Sequence, residues 1–211
     1  MGNKIKSILK ASYNNSIKDR DRSEIVQWKI DELSKVLSYK EEINHKKLLD
    51  LGAGSGLYAK YLADAGLNVT CIDLSESMVN LCKKKELEAY VMDFYNLDFK
   101  ENQFDIVWSL NTLLHVPNQE LDLVLEGIRR VLKPSGLFYL GLYGGEDTEG
   151  IYEMDSYRPK RFFSLYKEET IQEKIGRYFF IEKFQVIQVN HHDMKFYSMI
   201  IRNTKSELGD Q

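Results

Sequence analysis

Residues 47–56, KLLDLGAGSG, run directly into LYAKYLADAG, and no other stretch limits the fold as much. Lys47 to Asp50 reads as a short buried strand, and Leu57 to Ala65 carries apolar residues at helical spacing. Gly52 to Gly56 is therefore the turn between them. Glycines let a backbone approach a ligand without interference from Cβ, and the helix N-terminus beyond them presents unpaired N–H groups suited to a carboxylate or phosphate. A strand, a glycine turn and a helix make a ligand site.

The glycine spacing narrows the ligand. Gly52, Gly54 and Gly56 are spaced two and two, and Leu57 stands where the dinucleotide fingerprint needs its third glycine. No Gly-Lys-Ser/Thr follows, which argues against a nucleotide triphosphate. Asp50, two residues before the first glycine, adds a carboxylate at the strand end and suits a cationic or amine-bearing ligand better than a pyrophosphate.

The rest of the chain supplies a matching frame. Asp21 to Tyr39 carries Ile25, Ile30, Leu33 and Val36 on one helical stripe, and Asp21 with Glu24 predicts a capping box at its start. Residues 1–20 are polar and weakly periodic. Tyr13 and Trp28 of this extension either face the ligand or pack against the sheet. After Gly66, NVTCID forms the second strand and ends in Asp73, placed to accept both hydroxyls of a ribose. Ser75 can cap the next helix, where Met78 packs either on an adenine face or in the core. EAYVMDF ends in Asp93-Phe94, which can take the adenine amino hydrogens and flank the ring, or can be a turn aspartate and a core phenylalanine. FDIVWSLN is the fourth strand, Asn118 to Leu132 an amphipathic helix stopped by Pro134 and Gly136, and GLFYLGLYG the fifth strand. A helix over about 167–179 and two final strands, FQVIQV and FYSMIIR, complete an α/β alternation that indicates a doubly wound parallel sheet. The last two strands lack an intervening helix, so they are expected to form a hairpin. Asp50, Asp73 and Asp93 then ring one crevice at the carboxyl edge of the sheet.

Composition excludes several partners. At 211 residues the chain suits one α/β domain, and its net charge of −3 gives no sign of a nucleic-acid-binding face. No apolar run approaches the ~18 residues of a membrane span, and MGNKIKSILK lacks a secretory core. Lys6 stands where a myristoylation signal needs Ser or Thr. Cys71 and Cys82 fall on apolar faces and read as reduced thiols, so a soluble cytoplasmic chain is expected.

A sulfonium, an ammonium and one carboxylate, the chemistry of S-adenosylmethionine, fit this crevice. LLDLGAGSG, CIDLSESMV, VMDF, FDIVWSLNTLLHV and LKPSGLFYLGLYGG, in this order and spacing, resemble the class I S-adenosylmethionine-dependent methyltransferases, small-molecule type with a helical N-terminal cap. The resemblance covers nearly everything from Asp21 to Arg202. It implies a seven-stranded sheet in the order 3-2-1-4-5-7-6 with strand 7 antiparallel. It further implies that Gly52, Ala53 and Gly54 line the methionyl part of the cofactor, and that Asp73 holds its ribose. Leu74 and Met78 would border the adenine, Met92, Asp93 and Phe94 would take its far edge, and Leu110 and Asn111 would lie beneath the methionine. Ser109-Leu110-Asn111-Thr112 replaces the Asp/Asn-Pro-Pro-aromatic motif of base-amino methyltransferases, which disfavours a nucleic-acid acceptor. No aspartate occurs there, which disfavours aminopropyl transfer.

Methyl transfer to a small-molecule acceptor, leaving S-adenosylhomocysteine, is the implied activity; a non-catalytic cofactor-binding protein is the alternative. His115, just past the fourth strand, is the candidate general base, or else packs beneath the cofactor on a backbone carbonyl. Residues 144–164 are expected to be a long loop serving as a substrate lid, or a solvated excursion, with Tyr143, Arg161 and Phe163 as candidate walls. His191 and His192 point apart if adjacent on a strand, so no metal is expected. The whole is read as one domain, with residues 1–45 a helical cap, 46–202 the Rossmann-like core and 203–211 a tail.

Overall fold

The computed structural model describes residues 2–22, 24–39, 47–189 and 195–204. The chain runs α1 (Asn3–Asn15), α2 (Ile17–Asp21), α3 (Gln27–Ser38), β1 (Lys47–Leu51), α4 (Leu57–Asp64), β2 (Asn68–Asp73), α5 (Glu76–Lys84) and β3 (Glu88–Val91). It continues with β4 (Phe104–Leu110), α6 (Leu121–Val131), β5 (Leu132–Gly144), β6 (Thr148–Ile151), β7 (Phe162–Leu165), α7 (Glu168–Gly176), β8 (Phe180–Gln188) and β9 (Lys195–Arg202).

Seven strands form one sheet in the order β3-β2-β1-β4-β5-β9-β8. The first five are parallel, and β9 runs antiparallel to both β5 and β8. Counting only strands of this sheet, the order is the expected 3-2-1-4-5-7-6. Apolar residues alternate between the two faces because successive side chains on a strand point oppositely. Leu49, Val107, Phe138 and Ile201 pack with α6 and α7, whereas Leu48, Ile106, Tyr139 and Ile200 pack with α3, α4 and α5.

A buried carboxylate fastens α3 to its face of the sheet. Glu32 is 1% exposed, accepts a hydrogen bond from the Tyr139 hydroxyl at 2.9 Å, and pairs with Lys35 Nζ at 2.7 Å. The Ser198 hydroxyl of β9 donates to the same carboxylate, and Tyr139 stacks on Trp108 with ring centroids 4.0 Å apart. A buried charge is tolerable only when it is paired and hydrogen-bonded in this way.

Three expectations are corrected. The N-terminal extension is three helices: α1 occupies the stretch read as weakly periodic, and α3 begins at Gln27, with Val26 and no capping box before it. Asp21 closes α2 instead, and its carboxylate takes Lys85 Nζ at 3.3 Å. Residues 144–164 are not a plain loop, because β6 and β7 pair antiparallel, with Ile151 opposite Phe162 and Thr148 opposite Leu165. The fifth strand starts at Leu132, ahead of Pro134 and Gly136, through an irregular register against β4 in which Ser135 takes φ 58°. His191 and His192 lie outside the described residues.

Candidate active site

The carboxyl ends of β1, β2, β4 and β5 open into a cleft of about 250 Å³, roofed by α1 and α2 and by the β6–β7 hairpin. Its floor is the glycine turn. Gly52 and Gly54 hold φ 69° and 56°, a region in which a side chain is strained. A Cβ on Gly52 would stand 2.6 Å from the Thr112 side chain, whereas one on Gly54 would meet only the Arg20 guanidinium at 3.4 Å.

Asp73 is set by this turn. Its carboxylate accepts the Gly54 N–H at 2.9 Å and the Ser75 N–H at 2.8 Å. Burial pushes its pKa up, against the pull of those N–H groups and the Arg20 charge. The Ser75 hydroxyl accepts the Met78 N–H at 3.2 Å, which is the expected cap of α5. Leu74, Met92, Asp93 and Phe94 line the far end, where Phe94 stacks on Tyr95 and Lys6 of α1 forms an ion pair with Asp93.

Three polar atoms around the floor are buried without a hydrogen-bond partner among the described residues: Asp50 Oδ2, Asn111 Oδ1 and Arg20 Nε. Such atoms in a native fold call for a ligand or an ordered water. Asn111 follows β4 at φ 56°, a strained conformation that asparagine tolerates better than most residues. Asp50 is 3% exposed and lies behind the cleft surface. Burial, and then the Asp73 charge, raise its pKa to about 8. Burial therefore favours the neutral form of this carboxyl.

The opposite end is a network across the roof. His115 Nδ1 lies 2.7 Å from the Phe162 carbonyl, which can only accept, so Nδ1 carries the hydrogen. Burial lowers the His115 pKa to about 3, so the neutral ring leaves Nε2 to accept from the Tyr13 hydroxyl at 2.8 Å. Arg161 Nη1 donates to the Tyr13 oxygen at 3.1 Å, and the same guanidinium is locked on Asp155 through Nε at 2.9 Å and Nη2 at 2.8 Å. Both ring nitrogens of His115 are thus engaged within the protein, one of them on a backbone carbonyl as in the packed alternative. Tyr143, Arg161 and Phe163 line the cleft.

Ala53 and Met78 lie behind the wall, and Met78 is fully buried in the core. Trp28 packs edge-on to Phe196 and is absent from the lining. Sequence reasoning missed Arg20, Lys29, Tyr58 and Thr112, all of which line the cleft. Tyr58 and Thr112 had a usable signal, because they adjoin the glycine turn and the end of β4. Arg20 and Lys29 lie in the extension, where only the helix placement reveals them.

The sheet order and the glycine-floored cleft define a Rossmann-like α/β protein with an open cleft at the carboxyl edge of its sheet. Residues 49–140 match the family described as "Methyltransferase domain", which supports the resemblance to the class I S-adenosylmethionine-dependent methyltransferases. It is 31% identical over 143 residues to malonyl-(acyl-carrier protein) O-methyltransferase of Geobacter sulfurreducens, covering 64% of this chain and 53% of the relative. It is 38% identical over 99 residues to glycine/sarcosine/dimethylglycine N-methyltransferase of Actinopolyspora halophila, covering 43% of this chain and 17% of that one. The chain thus spans about half or less of the length of these curated relatives. The fold is similar to that of 1,6-didemethyltoxoflavin-N1-methyltransferase of Burkholderia thailandensis, solved with bound 1,6-didemethyltoxoflavin and S-adenosylhomocysteine. That likeness has a TM-score of 0.72 at 20% identity and covers 94% of this chain and 88% of the other.

Proposed function

We propose that the chain transfers a methyl group from S-adenosylmethionine to a small-molecule acceptor, leaving S-adenosylhomocysteine. The observation that carries this reading is the trio of unpaired buried atoms on Asp50, Asn111 and Arg20 beside the Asp73-bound glycine turn. An ammonium and a carboxylate from one ligand would satisfy that trio. S-adenosylmethionine, when bound, supplies a methyl carbon activated by its sulfonium.

The chain's own residues bind and align. Asp73 accepts the ribose hydroxyls, Leu74 borders the adenine, and Met92, Asp93 and Phe94 take its far edge. Gly52 and Gly54 pass along the methionyl part, with Leu110 and Asn111 beneath it. Arg20 takes the methionyl carboxylate, and Asp50 ionises to meet the ammonium. Ala53 and Met78 support this wall from behind. Tyr143, Phe163 and the Tyr13 hydroxyl wall the acceptor, while His115 and Arg161 fix Tyr13 from outside. The α1–α3 cap and the β6–β7 lid exclude water. Alignment in a dry site can supply up to ~7 to 11 kcal/mol of barrier reduction, so a base is not required for an acceptor that reaches the site with a free electron pair. We place this activity in the cytoplasm and assign it neither nucleic-acid nor membrane partners.

Calorimetry with S-adenosylmethionine and S-adenosylhomocysteine tests the binding step, and S-adenosylhomocysteine release across an acceptor panel tests turnover. Absence of binding at millimolar ligand ends this reading. Binding without turnover of any acceptor favours a cofactor-binding protein instead.

A further inference from the structure

The charges around the cleft do not balance. Four cationic side chains line it, Lys10, Arg20, Lys29 and Arg161, against two carboxylates, Asp73 and Asp93. Arg161 is neutralised by Asp155, and Asp93 by Lys6. Lys10, Arg20 and Lys29 then face Asp73 alone. S-adenosylmethionine carries two positive groups and one negative, so it adds one further positive charge. Ionised Asp50 offsets that charge, so the cleft keeps its excess of cations when the cofactor enters, and a remaining ligand of opposite sign is favoured.

Lys29 is the cation left over. Arg20 sits against Gly54 and acts electrostatically on Asp73, which puts it at the methionyl and ribose end. Lys29 projects from α3, and its ammonium bonds the Tyr58 hydroxyl at 3.0 Å and lies over the Trp28 and Tyr58 rings. No carboxylate within 4 Å pairs with it among the described residues. Burial, against the favourable effect of Tyr143 and together with the Arg20 charge, lowers its pKa. Tyr143, next to last in β5, lines the cleft, and its ring packs edge-on to Phe196. A half-buried ammonium held by a hydroxyl and aromatic faces, with no carboxylate among the described residues, is costly unless a ligand brings the counter-charge.

We infer that the methyl acceptor is a small organic acid whose carboxylate is received by Lys29, with the Tyr58 and Tyr143 hydroxyls beside it. This rests on the methyltransferase reading and adds the acceptor's class to it. The Tyr13, Tyr143, Tyr157 and Phe163 rings that complete this end suit a flat body attached to the acid.

The test uses the full chain with S-adenosylmethionine and matched acid and amide acceptors: salicylate against salicylamide, anthranilate against anthranilamide, and glycine against glycinamide. S-adenosylhomocysteine release is followed for the wild type, Lys29→Met and Lys29→Arg, and cofactor affinity is measured by calorimetry. The expected result is turnover of one or more acids over their amides by roughly 10- to 100-fold in kcat/KM, the scale of a hydrogen bond to a charged group. In Lys29→Met that preference disappears through a raised KM, Lys29→Arg retains it, and cofactor affinity stays within about twofold of wild type. Amides turned over as well as acids, no acid turned over, or a preference that survives Lys29→Met overturns the inference. So does a Lys29→Met variant whose loss falls on cofactor affinity, since Lys29 would then hold the methionyl carboxylate. Failure of the wild type to bind the cofactor at all is a separate outcome, and it removes the underlying reading.

Discussion

The Tyr13 hydroxyl lies 2.8 Å from Nε2 of His115, so a residue of the first helix closes the cleft against the segment that follows β4. Tyr13→Phe keeps the ring and removes the only hydrogen that Nε2 accepts among the described residues. A buried acceptor left unpaired costs about 1–3 kcal/mol, so the urea midpoint should fall accordingly. Cofactor affinity should change little, while acceptor turnover drops. Equal stability of Tyr13→Phe and wild type would mean that the hydrogen bond is absent in solution.

The His115 ring gives a pH signature. Burial first, with Arg161 and Arg20 as further opposing charges, holds its folded pKa near 3, below the unfolded value of about 6.5. The unfolded chain therefore takes up the proton first as pH falls. The stability that depends on neutral His115 is complete above about pH 6.5 and is lost as pH falls toward 3. Denaturation from pH 7.5 down to about 4.5 should show this decline, and His115→Asn should flatten it. The pH–rate profile should show no ionisation near 6.5 from this residue; one that vanished in His115→Asn would restore it as a base.

Most of the sheet could be read from the chain because parallel buried strands such as Leu48–Leu51 and Phe104–Leu110 leave near-continuous apolar runs between turn signals. The roof left weaker traces. Helix α1 is held by polar contacts to distant residues: Ser12 donates to the Pro159 carbonyl, Asn15 to the Arg158 carbonyl, and Ser75 to Asn14. Such bonds leave no periodicity in the sequence. The β6–β7 hairpin pairs the acidic TEGI with FFSL across residues 152–161, and neither its length nor its composition marks the first strand. The carboxylates at the strand ends could be read as ligands, but the neutral state of Asp50 depends on burial.

Glycine substitutions should separate strain from crowding. Gly52→Ala adds a methyl 2.6 Å from Thr112 atoms at φ 69°, whereas Gly54→Ala meets only the movable end of Arg20. Both carry the roughly 1–2 kcal/mol cost of a left-handed alanine, and Gly52→Ala adds an overpacking term of about 1–3 kcal/mol. Thermal melts should rank wild type above Gly54→Ala above Gly52→Ala. Gly54→Ala should still weaken cofactor binding, because its methyl takes up the surface along which the methionyl part passes.

Asp73→Ala removes the acceptor of the Gly54 and Ser75 N–H groups as well as the proposed ribose ligand. The loss of two charged hydrogen bonds to the cofactor, at about 1.5–3 kcal/mol each, predicts a Kd weakened by roughly 100-fold or more. Calorimetry decides this; an unchanged Kd would move the ribose elsewhere.

Asp50 supplies the last test, because its titration runs opposite to that of His115. Burial, and then the Asp73 charge, raise its folded pKa to about 8, above the ordinary carboxylate value near 4. Between those two values the folded state holds a proton that the unfolded chain has released, so stability is fully present below about pH 4 and declines as pH rises through 8. The ligand-free protein should lose at least about 1 kcal/mol between pH 6 and about pH 9, since one pKa unit corresponds to about 1.4 kcal/mol. Asp50→Asn should remove that slope and be the more stable protein at high pH. A bound ammonium reverses the balance by favouring the carboxylate, so binding S-adenosylhomocysteine at pH 7 should release a proton. Calorimetry in two buffers of different ionisation enthalpy measures that proton directly. Release in the wild type and none in Asp50→Asn would place the ammonium at Asp50. Release of the same size in both proteins would assign the proton to another group and leave Asp50 as a buried neutral acid beneath the turn.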